Sequence, residues 1–213
     1  MSQPGERPVE LVDLQGAWRR DGRTIADGPA EEVADVLWLQ VGRHFCDLRS
    51  PRPRSSSGHL LDQPQAFSGT VSVAGGDISF HHDLDSLPRD PAHPDQGTVH
   101  RREDVMFERG PGFEERWIMA TLPGDDVGLA ELYSLSGDRS ELLARLIRIG
   151  PLVLAVWGGR SAGGAQFNRR HEWSRERPLN TCADTWRLDQ AALALGTGDP
   201  LPEGWVAVAM EEV

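Results

Sequence analysis

The chain has 213 residues, enough for one large all-β domain or two small ones. Its 38% hydrophobic and 26% charged content is that of a globular protein, while a net charge of −11 and a pI near 5.0 argue against partners held by bulk positive charge, nucleic acid and anionic membrane alike. All 22 basic residues are Arg, so no lysine side chain exists for Schiff-base or pyridoxal chemistry.

Residues 1–10 read as a loose leader with no basic region followed by an apolar one, so no signal peptide is expected. Leu11 to Arg20 is the first ordered segment, and Asp21 to Asp35 reads as a connection with at most one helical turn at Pro29. Val36 to Arg49 then predicts a β-hairpin about Gly42-Arg43, since glycine first in a two-residue loop suits a type II′ turn. That register pairs Val41 with His44, Leu39 with Cys46 and Leu37 with Leu48 on one aliphatic face. Trp38, Gln40, Phe45, Asp47 and Arg49 occupy the other, because strand side chains alternate. Aromatic area with a few fixed polar groups suits the wall of a cavity that grips a small molecule.

Ser50 to Gly58, rich in Pro, Arg and Ser, predicts a mobile loop, and its Arg54 could close over a carboxylate-bearing ligand. Ala66–Ala74 and Asp77–Asp85 read as strands about Gly75-Gly76. Alternation puts Ile78, Phe80, His82 and Leu84 on one face, and an imidazole on an apolar face has the pKa range for proton transfer. Ser86 to Gly97 reads as a loop. Thr98–Phe107 and Phe113–Ala120 read as a second hairpin about Arg109-Gly-Pro-Gly, with Phe113, Glu115 and Trp117 on one face. A glutamate between aromatics is a candidate acid or base.

Gly128–Ser136 predicts a strand, and a third hairpin follows about Gly150-Pro151. Its aliphatic face, Ile147, Ile149, Leu152, Leu154 and Val156, echoes that of the first hairpin, while the opposite faces differ. This suggests two related halves, about 11–120 and 121–213, within one barrel domain. Gln166–Trp173 and Ala183–Leu188 read as strands, Asp189–Gly196 as a short helix and Trp205–Met210 as a closing strand. Cys46 and Cys182 are in no CxxC arrangement, which fits two reduced thiols and a cytoplasmic location. The longest apolar run, Pro151 to Trp157, falls far short of the roughly 20 residues of a membrane span.

Short strands with frequent Gly and Pro turns predict an all-β chain: one antiparallel barrel of about ten strands with one short C-terminal helix. Gly16-Ala17-Trp18, the β-meander and the late helix followed by a strand resemble the calycin or lipocalin-like superfamily. Phe45-Cys46-Asp47-Leu48-Arg49 and His82-Asp83-Leu84-Asp85-Ser86 are similar to strand ends in a small calycin-like group without settled biochemistry. The resemblance implies a ligand-binding barrel and no particular reaction. No dinucleotide fingerprint, P-loop or nucleophile elbow occurs, and the adjacent His81 and His82 point to opposite faces, which disfavours a shared metal.

The functional expectation is acid–base chemistry on a small, largely apolar molecule: isomerisation, cyclisation or dehydration. Asp47 and His82 would move protons, and Arg49 would orient substrate or steady an oxyanion. Trp38, Gln40, Phe45, Glu115, Trp117 and Arg54 would shape the pocket. The expected partner is a small molecule, with no nucleic acid, membrane, metal or cofactor; monomer or homodimer stays open. The alternatives are a carrier or sensor of a hydrophobic ligand or haem, and an interaction module docking through the aliphatic hairpin face.

Overall fold

The Gly42-Arg43 hairpin is the seam between two sheets. A computed structural model describes residues 7–25, 28–32, 34–51, 65–85, 92, 94–121, 127–136, 139–150, 152–159, 164–172 and 205–207. Nine strands make the first sheet: β1 (Arg7–Pro8), β2 (Gly16–Ile25), β3 (Ala34–Val41), β4 (His44–Pro51), β5 (Gln65–Ala74), β6 (Asp77–Asp85), β7 (Asp95–Arg102), β8 (Val105–Gly110) and β9 (Phe113–Thr121). Each strand from β2 onward pairs antiparallel with the next, and β9 returns to pair with β2. Eight strands therefore close an up-and-down barrel, and closure removes free sheet edges. The register of β3 and β4 is the expected one, Val41 opposite His44, Leu39 opposite Cys46 and Leu37 opposite Leu48. Gly42 takes a φ of 54°, which glycine adopts without strain.

Alternation gives the barrel wall two characters. Inward, Trp18, Trp38, Phe45, Phe67, Ile78, Met106 and Trp117 form an aromatic core. Outward, Leu37, Leu39, Val41, Cys46 and Leu48 pack against a second sheet. That sheet runs β13-β12-β11-β10-β14, from β10 (Val127–Ser136), β11 (Arg139–Ile149), β12 (Leu152–Gly159), β13 (Gly164–Glu172) and β14 (Trp205–Ala207). It contributes Leu129, Ile147, Ile149, Leu152, Leu154 and Val156. The two hairpins share an aliphatic face because those faces cover each other. Each fully buried Leu or Ile contributes about 1.5–3 kcal/mol relative to exposure. The first hairpin's aliphatic face is thus occupied by the chain itself, which overturns its reading as a docking surface for a separate protein.

One end of the barrel is plugged. The 3-10 turn Leu11–Leu14 buries Leu14 in the aromatic core. Trp18 Nε1 donates to Leu14 O at 2.7 Å, Gln15 Nε2 donates to Gly42 O at 2.9 Å, and the Gly42 N–H donates to Gln15 Oε1 at 2.6 Å. The Gly42-Arg43, Gly75-Gly76 and Glu103-Asp104 turns lie at this end, so the opposite rim carries Ile25, Arg49, Asp85, Asp95 and Phe113.

Four expectations are corrected. Residues 7–10 are placed rather than loose: β1 pairs with β7, and Val9 is fully buried. The first strand continues to Ile25, passing an irregularity at Arg20/Gly22 that keeps it paired with β9. Thr98–Phe107 is not one strand; the chain turns at Glu103-Asp104, with Glu103 at φ 55°, a left-handed turn without glycine. In β6 a register shift breaks the alternation, so His82 stays inside while Leu84 joins the outer core. Gly69 permits that shift, since a Cβ there would lie 1.8 Å from His81 O. The Asp189–Gly196 helix and the Ala183–Leu188 strand lie outside the described residues. Among those residues no helix is long and apolar enough to cross a membrane.

Candidate functional site

At the open end the barrel encloses a cavity of about 130 Å³. Each strand delivers inward side chains to it at alternate positions. β3 and β4 supply Trp38, Phe45, Asp47 and Arg49; β5 and β6 supply Phe67 and Phe80; β2, β7, β8 and β9 supply Arg23, Asp95, Glu108, Phe113, Glu115 and Trp117. The aromatic rings meet edge to face: Trp38 lies 5.4 Å from Trp117 and 5.5 Å from Phe80, and Phe45 lies 5.3 Å from Phe80. Such contacts fix ring orientation.

The polar side is a set of fixed pairs. Arg49 Nε donates to Asp47 Oδ1 at 2.9 Å, and its guanidinium covers the Phe67 ring at 4.7 Å. Burial draws the Arg49 proton affinity down, but facing Asp47 and Glu115 hold it above the ordinary arginine value. Burial raises the Asp47 carboxyl above its ordinary value, against the pull of Arg49. Arg20, only 3% exposed, donates to Glu32 at 2.8 Å and to Glu115 Oε1 at 2.6 Å, anchoring Glu115 from behind the cavity wall. Arg23 Nε lies 3.4 Å from the same Glu115 oxygen, and its guanidinium stacks 4.8 Å from the Phe113 ring.

Glu108 differs from its neighbours. It is 6% exposed, lines the cavity and has no hydrogen-bond or ion-pair partner among the described residues. Burial, then the charges of Glu115 and Asp95, push its carboxyl up to about 8, so it holds a proton at neutral pH.

The structure brings Trp38, Phe45, Asp47, Arg49, Glu115 and Trp117 to one cavity. Gln40 is not on its surface. It lies fully buried toward the plug, accepting from Trp38 Nε1 at 3.0 Å and donating to Gly42 O at 2.9 Å. His82 stands one layer back against Phe67, ring centroids 4.7 Å apart, with Nε2 3.1 Å from Asp95 and Nδ1 3.1 Å from Asp85. Arg54 lies outside the described residues. A haem finds no fit here: both ring nitrogens of His82 face carboxylates, and the cavity is well below the roughly 300 Å³ at which pockets for drug-sized ligands begin.

Sequence reasoning missed Arg23, Phe67, Phe80, Asp95, Glu108 and Phe113 as lining residues. One signal for Glu108 was available. It stands directly opposite Glu115 in the β8–β9 ladder, so a correct Glu103-Asp104 turn would have put both carboxyl groups on one inward face.

An eight-stranded up-and-down barrel, plugged at one end and hollow at the other, decides the architecture. The barrel has the closed up-and-down topology expected of a lipocalin-like fold. No protein-family model matches the sequence, and no curated protein does. Two solved structures align with half of this chain. A lipocalin-like protein from Bacteroides uniformis ATCC 8492 shares 21% identity at a TM-score of 0.36, the match covering 50% of this chain and 98% of that one. An uncharacterized protein from Bacteroides eggerthii DSM 20697 shares 13% identity at a TM-score of 0.35, covering 50% and 99%.

Proposed function

We propose that this lipocalin-like barrel binds a small, largely apolar molecule in its open end and performs acid–base chemistry on it. The observation that carries this reading is the contrast between two buried carboxyl groups in one aromatic cavity. Asp47 is aimed by a guanidinium at 2.9 Å, whereas Glu108 has no partner among the described residues and holds its proton to about pH 8. Carboxyl groups whose environments differ take different roles, and a group that titrates near neutral pH suits proton transfer. Asp47 removes a proton from bound substrate, Glu108 returns one to a developing hydroxyl or leaving oxygen, and Arg49 keeps Asp47 in place. His82 acts as a positioning residue for Asp95. The chemistry is isomerisation, cyclisation or dehydration, and the buried free thiol of Cys46 is compatible with a reducing cytoplasm.

Solvent exchange tests this. The protein is incubated in D2O with a panel of small apolar ketones, alcohols and hydroxy compounds. Deuterium incorporation or loss of water, read by mass spectrometry, is expected for one class and is expected to vanish in Asp47→Asn. Compounds that bind and are released unchanged, without exchange, would make the barrel a carrier.

A further inference from the structure

The charge inventory of the cavity is unbalanced. Its arginines are engaged by the chain itself: Arg49 by Asp47, and Arg23 by Glu115, which Arg20 also holds. Asp95 faces His82. Glu108 is left over, buried at 6% exposure, lining the cavity and in no ion pair among the described residues, with Arg49 and Arg23 acting on it only through longer-range attraction. The rings of Trp38, Phe45 and Phe80 line the same cavity. A buried carboxyl group with no counter-ion among the described residues, in a cavity lined by aromatic rings, suits a cation. We infer that the ligand is a compact organic amine, entering as its ammonium ion, with Glu108 as counter-ion and the aromatic rings around its apolar body. This rests on the binding reading given above and on the same cavity, but not on catalysis there: for an ammonium ligand Glu108 is the counter-ion and not the proton donor.

Size and protonation agree. An engineered apolar cavity of 150 Å³ holds benzene, so about 130 Å³ suits a body of six to eight non-hydrogen atoms. An alkylammonium, like the lysine side chain with its pKa near 10.4, arrives charged at neutral pH. Burial first, then the charges of Glu115, Asp95 and Asp47, keeps Glu108 protonated to about pH 8 in the free cavity, against the pull of Arg49. Ammonium binding below that pH must therefore expel the Glu108 proton. No bond to carbon forms or breaks; the only exchange is a carboxyl proton released to solvent.

The test is calorimetric titration of the full chain at neutral pH with n-butylamine, cyclopentylamine and benzylamine, each beside its alcohol and its carboxylate. Amines are expected to bind about tenfold or more tighter than the matching alcohols, and carboxylates not at all. Amine affinity should rise with pH by up to about tenfold per unit between about pH 6 and pH 8, with proton release measured in buffers of different ionisation enthalpy. In Glu108→Gln, checked for folding by its melting transition, the ratio of amine to alcohol affinity should fall to about one. Alcohols that match or exceed the amines in wild type overturn the inference and leave the binding cavity standing. Preferred carboxylates overturn it equally. If no probe of any class binds, both the inference and the cavity reading fail.

Discussion

Glu108 sets the clearest expectation at the scale of a residue. Its folded carboxyl titrates near 8 against an ordinary 4.5, so between those values the folded chain binds more protons than the unfolded one. Stability then falls as pH rises through that window, and the penalty is complete above about pH 8. Glu108→Gln removes it. The variant should exceed wild type by on the order of a few kcal/mol above pH 8, and the gap should close toward pH 4.5, measured by urea unfolding across the range. Arg49 behaves oppositely. Truncating it strands Asp47, which is 3% exposed, so Arg49→Ala should cost about 3–5 kcal/mol and lower the melting temperature. Alternation alone placed Arg49 on the cavity wall, as a group that orients substrate and whose loss would spare the fold; it could not show how deeply its partner Asp47 is buried. Cys46 is fully buried, with its thiol pushed up to about 12 by desolvation. In a Cys182→Ser background, native protein should react with a thiol reagent orders of magnitude more slowly than unfolded protein, and rapid labelling would contradict the outward aliphatic face.

Among the elements, the hairpins with glycine turns were legible and the turn without glycine was not. Gly42-Arg43 and Gly75-Gly76 announce themselves through residues that tolerate positive φ, and period-two alternation does the rest. Glu103-Asp104 carries no such signal, so β7 and β8 merged into one expected strand, and Glu108 was lost with them. The aliphatic faces near residues 40 and 150 were readable as patterns. Their mutual burial was not, because nothing local says which face meets which. That interface also holds a polar lock invisible in the sequence. Arg145 Nε lies 2.7 Å from Glu131, one of its terminal nitrogens lies 2.8 Å from Asp83 on β6, and His44 Nδ1 lies 3.7 Å from the same Glu131. Arg145→Ala should therefore cost about 3–5 kcal/mol by leaving Glu131 buried without its guanidinium, whereas the pair Arg145→Met with Glu131→Leu should recover most of that loss. Chemical denaturation of the two variants separates these outcomes.

The molecule as a whole joins a closed barrel to an open five-stranded sheet through one shared aliphatic core. Neither layer covers its aliphatic face alone, so the two should melt in a single calorimetric transition; two resolved peaks would show that the barrel stands by itself. The plug at Leu11–Leu14 has a further consequence, for traffic. Among the described residues the chamber has one door, which admits and discharges by the same route, and at about 130 Å³ it seats one guest at a time. Any two compounds that use it must take turns. A reaction requiring two partners would proceed by alternation, with the first visitor gone before the second arrives, and every inhibitor lodged in the chamber would compete with substrate for the doorway as well as for the seat.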